Sequence, residues 1–192
     1  MTTYPRLSRD RQDPDQDERY LFRDLNPCLV HRDLVFVAPA DTDRIFALDA
    51  MTGHPLWITP PDRVADAVHL LGVGSDHLLV SGDCLYWLDA YTGRLEAQFP
   101  AAGKALPGHA RPSPRGWGRG VLAGTRVYWP TQEMVYVFEQ RPARTPRGWE
   151  PVLVREIPLG PRGARGGNLV IAGGILLVAT ADRLYAFNET GK

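Results

Sequence analysis

Residue types able to perform chemistry are few in this sequence, and their spacing does not match that of known catalytic or metal-binding motifs. Asp13, Asp15 and Asp17, with Asp24 at the twelfth position, superficially resemble a calcium-binding loop. Such a loop needs a glycine at its sixth position and a bidentate glutamate at its twelfth, whereas Glu18 and Asp24 occupy these places. We therefore expect this segment to be a solvated arm.

Patterns for nucleophilic catalysis and metal binding are equally weak. Cys28 and Cys84 lie 56 positions apart, which predicts neither a disulfide framework nor a zinc site and leaves the redox compartment open. No Gly-x-Ser-x-Gly elbow marks a nucleophile, so we predict no catalytic residue and no metal site. The histidines form no ligand pair at helical or strand spacing, and we expect surface positions for His31, His54, His69, His77 and His109.

Charge is unevenly distributed along the chain. Residues 1–101 carry 9 basic and 16 acidic side chains, and residues 102–167 carry 11 basic and 4 acidic ones. The formal net charge of zero is therefore a cancellation between two segments. A tetrapeptide, Pro-Arg-Gly-Trp, occurs at 114–117 and again at 146–149, and such arginine–glycine character is similar to that of RNA-binding tails. Loop arginines on a globular surface explain it better, so we do not expect a nucleic-acid partner.

Composition indicates a globular protein with many turns. Of the 192 residues, 44% are apolar and 23% are charged, and 19 Gly and 17 Pro argue against a helical bundle. The longest nearly apolar run, 169–181, is shorter than the roughly 18 to 20 residues that cross a bilayer, so we predict no membrane-spanning helix. The first ten residues lack the apolar stretch of an export signal.

The strongest pattern is an internal repeat. Residues 44–53, Arg-Ile-Phe-Ala-Leu-Asp-Ala-Met-Thr-Gly, recur 40 positions later as Cys-Leu-Tyr-Trp-Leu-Asp-Ala-Tyr-Thr-Gly at 84–93. Weaker copies lie at 134–139 and 183–191. The shared register is marked by Asp49, Asp89, Glu139 and Asn188.

Each repeat predicts a meander of short strands rich in β-branched and aromatic residues. The predicted strands are 28–30, 33–38, 44–50 and 55–59, then 68–73, 77–81, 84–90 and 95–99, then 120–123, 126–129, 134–139 and 152–157, and finally 168–172, 175–179 and 183–188. We divide the chain into a polar arm, 1–25, and blades at 26–60, 66–100, 119–159 and 167–192. Residues 101–119 and 140–150 are predicted as inserted loops.

Four-stranded meanders repeated every 40 to 50 residues are typical of an all-β fold, the β-propeller. A β-sandwich explains the number of strands but not the recurrence of one turn motif in register. The last repeat stops where its fourth strand should begin, so we expect a fragment of a longer chain. Four blades either close a small ring or leave two blade faces open for self-association, for example as an eight-bladed dimer.

Five residues of the first repeat match a known motif at every position. Ala47, Asp49, Thr52, Gly53 and Trp57 have the types and spacing of a tryptophan-docking motif, and through them the chain resembles the pyrroloquinoline quinone (PQQ)-like β-propeller repeat proteins, in the quinoprotein dehydrogenase-like superfamily. The resemblance implies that the indole lies between the Ala of its own motif and the Gly turn of a neighbouring blade. These residues would then have a structural role.

The second copy departs from this motif. Asp89, Thr92 and Gly93 remain, but Trp87 stands at the Ala position and Ala97 at the Trp position. We hypothesise that Trp87 fills the space left by the missing outer tryptophan. The third copy has lost the turn, and the fourth, which ends in Thr190 and Gly191, is one residue short.

The resemblance implies a propeller but not a bound quinone, because fold does not determine function. We expect a non-catalytic scaffold or a binding module for a protein or a ligand, with no cofactor. One alternative is a part of a PQQ-dependent quinoprotein oxidoreductase, which would use PQQ and calcium; another is a blade set of an outer-membrane assembly scaffold. The resemblance also implies an extracytoplasmic location for the parent protein.

One candidate binding surface follows from the repeat itself. In a propeller, the connections leading into the inner strands surround one mouth of the channel. Four arginines precede the inner strands of the third and fourth repeats, and they predict an anion- or partner-binding mouth: Arg115, Arg119, Arg162 and Arg165.

Overall fold

The computed structural model describes residues 26–101 and 113–188. The polar arm with its calcium-like aspartates, and also His109, Thr190 and Gly191, lie outside the described residues. In the described part, no helix is long and apolar enough to cross a membrane.

The described residues form four successive antiparallel sheets, which we call blades 1 to 4, and one separate two-stranded sheet. Blade 1 contains β1 (Leu29–His31), β2 (Leu34–Val37), β3 (Phe46–Asp49) and β4 (Pro55–Ile58). Blade 2 contains β5 (His69–Gly74), β6 (His77–Ser81), β7 (Leu85–Asp89) and β8 (Leu95–Phe99). Blade 3 contains β9 (Val121–Ala123), β10 (Arg126–Pro130), β11 (Met134–Glu139) and β14 (Leu153–Pro158), and blade 4 contains β15 (Asn168–Ala172), β16 (Ile175–Ala179) and β17 (Leu184–Asn188).

These blades confirm the predicted all-β propeller architecture. In each sheet the strands follow one another in chain order from the inner edge outwards, as a meander does. Every predicted strand is present, and its ends lie at most two residues from the predicted ones. The inner strands lie side by side in the order β1, β5, β9, β15.

Three apolar layers hold the blades together, one between each pair of neighbours. The layer between blades 1 and 2 includes Phe36, Trp57 and Leu88. The next includes Trp87, Trp129 and Phe138, and the third is built around Val135, Leu176 and Phe187. Side chains of successive strand residues point to opposite faces, so a blade between two neighbours is apolar on both faces.

One predicted loop is wrong. Residues 140–150 hold a hairpin formed by β12 (Ala143–Thr145) and β13 (Gly148–Glu150). A Pro-Arg turn joins the two strands, and the Thr145 hydroxyl accepts the Arg147 N–H and donates to the Gly148 carbonyl. Proline and glycine at the second and fourth positions of a β-turn are its usual signals, so the hairpin was encoded locally.

Because neighbouring strands run in opposite directions, the connections alternate between two ends of the molecule. The turns after the third strands, which contain Asp49 and Asp89, lie at one end, called the turn end. The segments that lead into the inner strands lie at the opposite end, called the linker end, together with the turns between second and third strands. The β12–β13 hairpin belongs to the turn end.

Candidate functional site

The two Asp-x-x-Thr-Gly turns have the same geometry. The Asp49 carboxylate accepts the Thr52 N–H and hydroxyl, each at 2.7 Å, and the Asp89 carboxylate accepts those of Thr92, each at 2.8 Å. The bonds from Thr52, first its hydroxyl and then its N–H, lower the pKa of Asp49, because they favour the ionised carboxylate. Each aspartate therefore fixes the turn that connects its third and fourth strands.

Trp57 joins blade 1 to the turn of blade 2. It pairs with Ala47 across β3 and β4, and its indole N–H donates to the Ala90 carbonyl at 3.0 Å. The ring lies over Gly93, where an added methyl group would come within 2.5 Å of the indole Cε3. The side chain is buried. We propose that this contact performs the docking role that the motif predicts.

Trp87 lies in the layer between blades 2 and 3. It pairs with Ala97 across β7 and β8, in the register that Ala47 and Trp57 have in blade 1. The indole is fully buried and meets the Phe138 ring edge-on, with 5.5 Å between ring centroids. Its N–H has no hydrogen-bond partner among the described residues. This position suits the hypothesis that Trp87 replaces the missing outer tryptophan.

Besides Trp129, a third indole reaches the same layer, from the hairpin of blade 3. Trp149, on β13, packs at the margin of the apolar layer between blades 2 and 3, and its ring lies edge-on to His77 with centroids 6.4 Å apart. Gln140 follows Glu139 as Ala90 follows Asp89, and its buried amide donates to the carbonyls of Gly124 and Arg126. In blade 3 a hairpin thus takes the place of the docking turn, and its tryptophan points back towards blade 2.

His77 corrects the expectation of surface histidines. It is buried, with its Nδ1 2.7 Å from the Ser75 carbonyl oxygen and its Nε2 2.8 Å from the Glu96 carboxylate. Arg94 donates to the other carboxylate oxygen of Glu96 at 2.6 Å. Both ring nitrogens thus lie within hydrogen-bond distance of acceptor oxygens. Of the other described histidines, His54 is exposed, and His31 and His69 are partly buried. The burial of His77 depends on Glu96, which lies 19 residues away in the sequence, so spacing alone does not reveal it.

The four arginines of the predicted mouth contact different elements. Arg115 lies 3.8 Å from the Asp83 carboxylate, and Arg119 donates to the Leu70 carbonyl at 3.3 Å. The Arg162 guanidinium stacks over the Phe187 ring, 4.8 Å from its centroid, and Arg165 shares an open cavity with Glu133. The anion-binding mouth stays a prediction.

Arg119 is the arginine most closely tied to the inner strands. Its backbone N–H donates to the Asn168 side chain, and its carbonyl accepts the Leu169 N–H, both at 2.8 Å. Its side chain extends to β5, where it adjoins His69. Burial, and secondarily the Arg119 charge, lower the pKa of His69 from 6.5 to about 4. His69 is therefore neutral in the folded protein at pH 7.

Among the described residues, the two thiols form no disulfide and the acidic side chains form no metal-binding group. Cys28 and Cys84 are free thiols, and burial raises the pKa of Cys84 and so disfavours its thiolate. Within 26–101 and 113–188, no three His, Cys, Asp or Glu side chains are grouped so that they could hold a metal ion.

Comparisons with known proteins identify the fold. The sequence matches no protein-family model and no curated protein. In structure the chain is similar to BamB from Moraxella catarrhalis, with a TM-score of 0.59 and 14% identity over 87% of this chain and 47% of that one. It is also similar to two computationally designed proteins, Ika4 (TM-score 0.57, 13% identity, 84% of this chain and 88% of that one) and Ika8 (0.56, 13%, 84% and 44%).

These similarities show the fold alone, since the identities are low. BamB is a PQQ-like β-propeller, and the chain has this same fold. The chain spans about half the length of BamB and of Ika8, but most of the length of Ika4.

The two turn glycines provide a matched test of the Trp57 contact. Gly53 and Gly93 have φ values of +72° and +69°, but within 26–101 and 113–188 no atom lies within 4 Å of a methyl group added at Gly53. Gly53→Ala should cost only the backbone strain of a left-handed alanine, roughly 1 to 2 kcal/mol. Gly93→Ala should cost about 1 to 3 kcal/mol more, because it displaces the indole. Chemical denaturation measures both values, and equal losses would contradict the proposed docking role.

Substitutions of Trp87 test whether its ring fills the layer between blades 2 and 3. Trp87→Ala should lower the free energy of unfolding by about 3 to 5 kcal/mol, as expected for a large buried ring. Trp87→Phe should cost clearly less, because it keeps an aromatic ring and removes an N–H that has no hydrogen-bond partner in the described part of the chain. Urea unfolding followed by circular dichroism compares the two variants. A small loss in Trp87→Ala would disprove the hypothesis.

The lowered pKa of His69 predicts a dependence of stability on pH. Between about pH 4 and 6.5 the unfolded chain binds the proton more readily than the folded one. The contribution of His69 to stability is therefore complete above pH 6.5 and is lost as the pH falls towards 4. Relative to wild type, His69→Gln should lack this loss, whereas Arg119→Ala, which leaves His69 buried, should retain most of it. Identical pH profiles of denaturation for wild type and His69→Gln would rule out a buried neutral His69.

Proposed function

We propose that this chain is a non-catalytic propeller segment that acts as a scaffold and binds another protein. The binding surfaces are the outward sides of blades 1 and 4, meaning the sheet faces that do not pack on blade 2 or on blade 3. The observation that supports this is apolar exposure on both sheets. Val30 and Leu56 on blade 1 are 71% and 54% exposed, and Val170 and Leu184 on blade 4 are 52% and 65% exposed. A sheet that faces water normally presents polar residues on that side, and contiguous apolar patches on proteins mark interaction sites.

The arginine mouth supports a binding function less well. Asp83 lies beside Arg115, and Glu133 lines the same cavity as Arg165, so acidic groups offset part of the positive charge. We assign no catalytic residue. An extracytoplasmic location for the parent protein belongs to the same proposal and rests on family resemblance.

Site-specific photo-crosslinking in the expressing cell tests this proposal. A photoreactive amino acid is placed singly at Val30 or Val170, and at Leu153 as the control. Leu153 is also apolar and exposed, but it lies on the outer strand β14 of blade 3, away from the outward sides of blades 1 and 4. We expect protein adducts from Val30 and Val170, whether to another protein or to a second copy, and few from Leu153. Absence of adducts at both sheet positions would overturn the proposed function.

A further inference from the structure

Each blade has two faces with different partners. We call the face that packs on the following blade the forward face, and the face that packs on the preceding blade the rear face. In blade 1 the forward face carries Phe36, Ala47 and Trp57, which pack on the rear face of blade 2. The rear face of blade 4, with Leu176 and Phe187, packs on the forward face of blade 3. Among the described residues, no blade packs on the forward face of blade 4 or on the rear face of blade 1.

The forward face of blade 4 has the composition of a blade interface. Val170, Leu177 and Ala186 form one cross-strand row, and Ile175 and Leu184 flank it. Val170, Ile175 and Leu184 are exposed. Ala186 stands two residues before Asn188, as Ala47 stands two residues before Asp49, so it occupies the position on which Trp57 lies in blade 1. This face matches the type that packs on a following blade.

The rear face of blade 1 has the complementary composition. One row contains Val30, Val35 and Leu48, and the next contains Val37, Phe46 and Ile58. In blade 2 the corresponding rows are Val73, Leu78 and Leu88, followed by Val80, Tyr86 and Gln98, and most of these residues lie in the layer that receives blade 1.

The turn of blade 1 is open in the same way. Gly93 of blade 2 lies beneath the Trp57 ring, whereas no atom of the residues that the structure describes lies within 4 Å of a methyl group added at Gly53. The turns of Asp49 and Asp89 have the same hydrogen bonds. Among the described residues, the turn of blade 2 is thus covered by the preceding blade, and the turn of blade 1 is not.

We propose that the occupant of both faces is a second copy of this chain, an inference that rests on the proposed function. The forward face of blade 4 in one copy packs on the rear face of blade 1 in the other, and a two-fold axis repeats the contact. The two copies then form one ring of eight blades. The contact is of the kind that the chain already makes between its own blades, and two copies cover all four open faces.

The lengths of similar propellers agree with this arrangement. The chain superposes on somewhat less than half of BamB and of Ika8, and on most of Ika4, which has a similar length. An arc of four blades is therefore compatible with half of a larger ring. A head-to-tail contact between two copies closes after one turn, as cyclic oligomers require.

Sedimentation velocity of the purified chain, from 1 to 100 µM, is the first test. The chain has a mass of 21.3 kDa, and we expect a species of twice that mass. A monomer throughout this range, or a ladder of larger masses, would overturn the inference without any variant. If the monomer persists while Val30 and Val170 still crosslink to a different protein, the inference fails and the proposed function stands.

A pair of charge variants tests which faces meet. Val30→Glu and Val170→Lys each alter an exposed residue on one open face, so both variants should fold, which circular dichroism verifies. Each alone should raise the dimer dissociation constant at least tenfold. Leu153→Lys, on the exposed outer strand β14 of blade 3, is the matched control and should leave the dimer intact.

Mixing the two variants gives the decisive result. In a mixed dimer one contact has wild-type composition on both sides, and the other places the new lysine face against the new glutamate face. The equimolar mixture should therefore recover most of the dimer that each variant lacks alone. A contact between two copies of blade 1 would be insensitive to Val170→Lys and would not recover on mixing, and either result would overturn the head-to-tail arrangement.

Discussion

The structure depends on one constraint, which is that every blade is apolar on both faces. Strand β6 of blade 2 shows it most clearly, because all five residues from His77 to Ser81 are buried. Since successive residues of a strand point to opposite faces, such a strand must be covered on both sides. Burial of apolar surface stabilises at roughly 25 cal/mol per Å², so a blade gains most of its stability from its neighbours. The blades are therefore interdependent.

The same requirement is met by different side chains in successive layers. Between blades 1 and 2, Trp57 extends from an outer strand to the turn of the next blade. Between blades 2 and 3, Trp87 fills the interior, and Trp149 approaches from the following blade on a hairpin. The repeat therefore preserves an aromatic contact between blades rather than a particular residue. This explains how the docking motif can decay along the chain while the architecture persists.

Sequence reasoning found the local features and missed those that depend on distant neighbours. Strand positions, and the turns set by Asp49 and Asp89, follow from a two-residue period and short turn signals. The burial of His77 could not be found in this way, because Glu96 is brought to it by strand pairing within blade 2 and Trp149 by the packing of blade 3. The β12–β13 hairpin is a local feature that was nevertheless missed. Its turn residues were visible in the sequence, but each of its strands is only three residues long.

The fold also changes the meaning of the charge pattern. Basic residues concentrate after position 101, and several of them lie in the linkers that lead into inner strands. Because strand direction alternates, these linkers lie at the same end of the molecule as the turns between second and third strands. Arg115 thereby meets Asp83, which belongs to the acidic half of the sequence. Exposed ion pairs of this kind contribute little to stability, but they reduce the net field at that end. Under the proposed function, selection of a partner then depends mainly on the shape and composition of the open sheet faces, where alternate apolar residues determine which blade can pack.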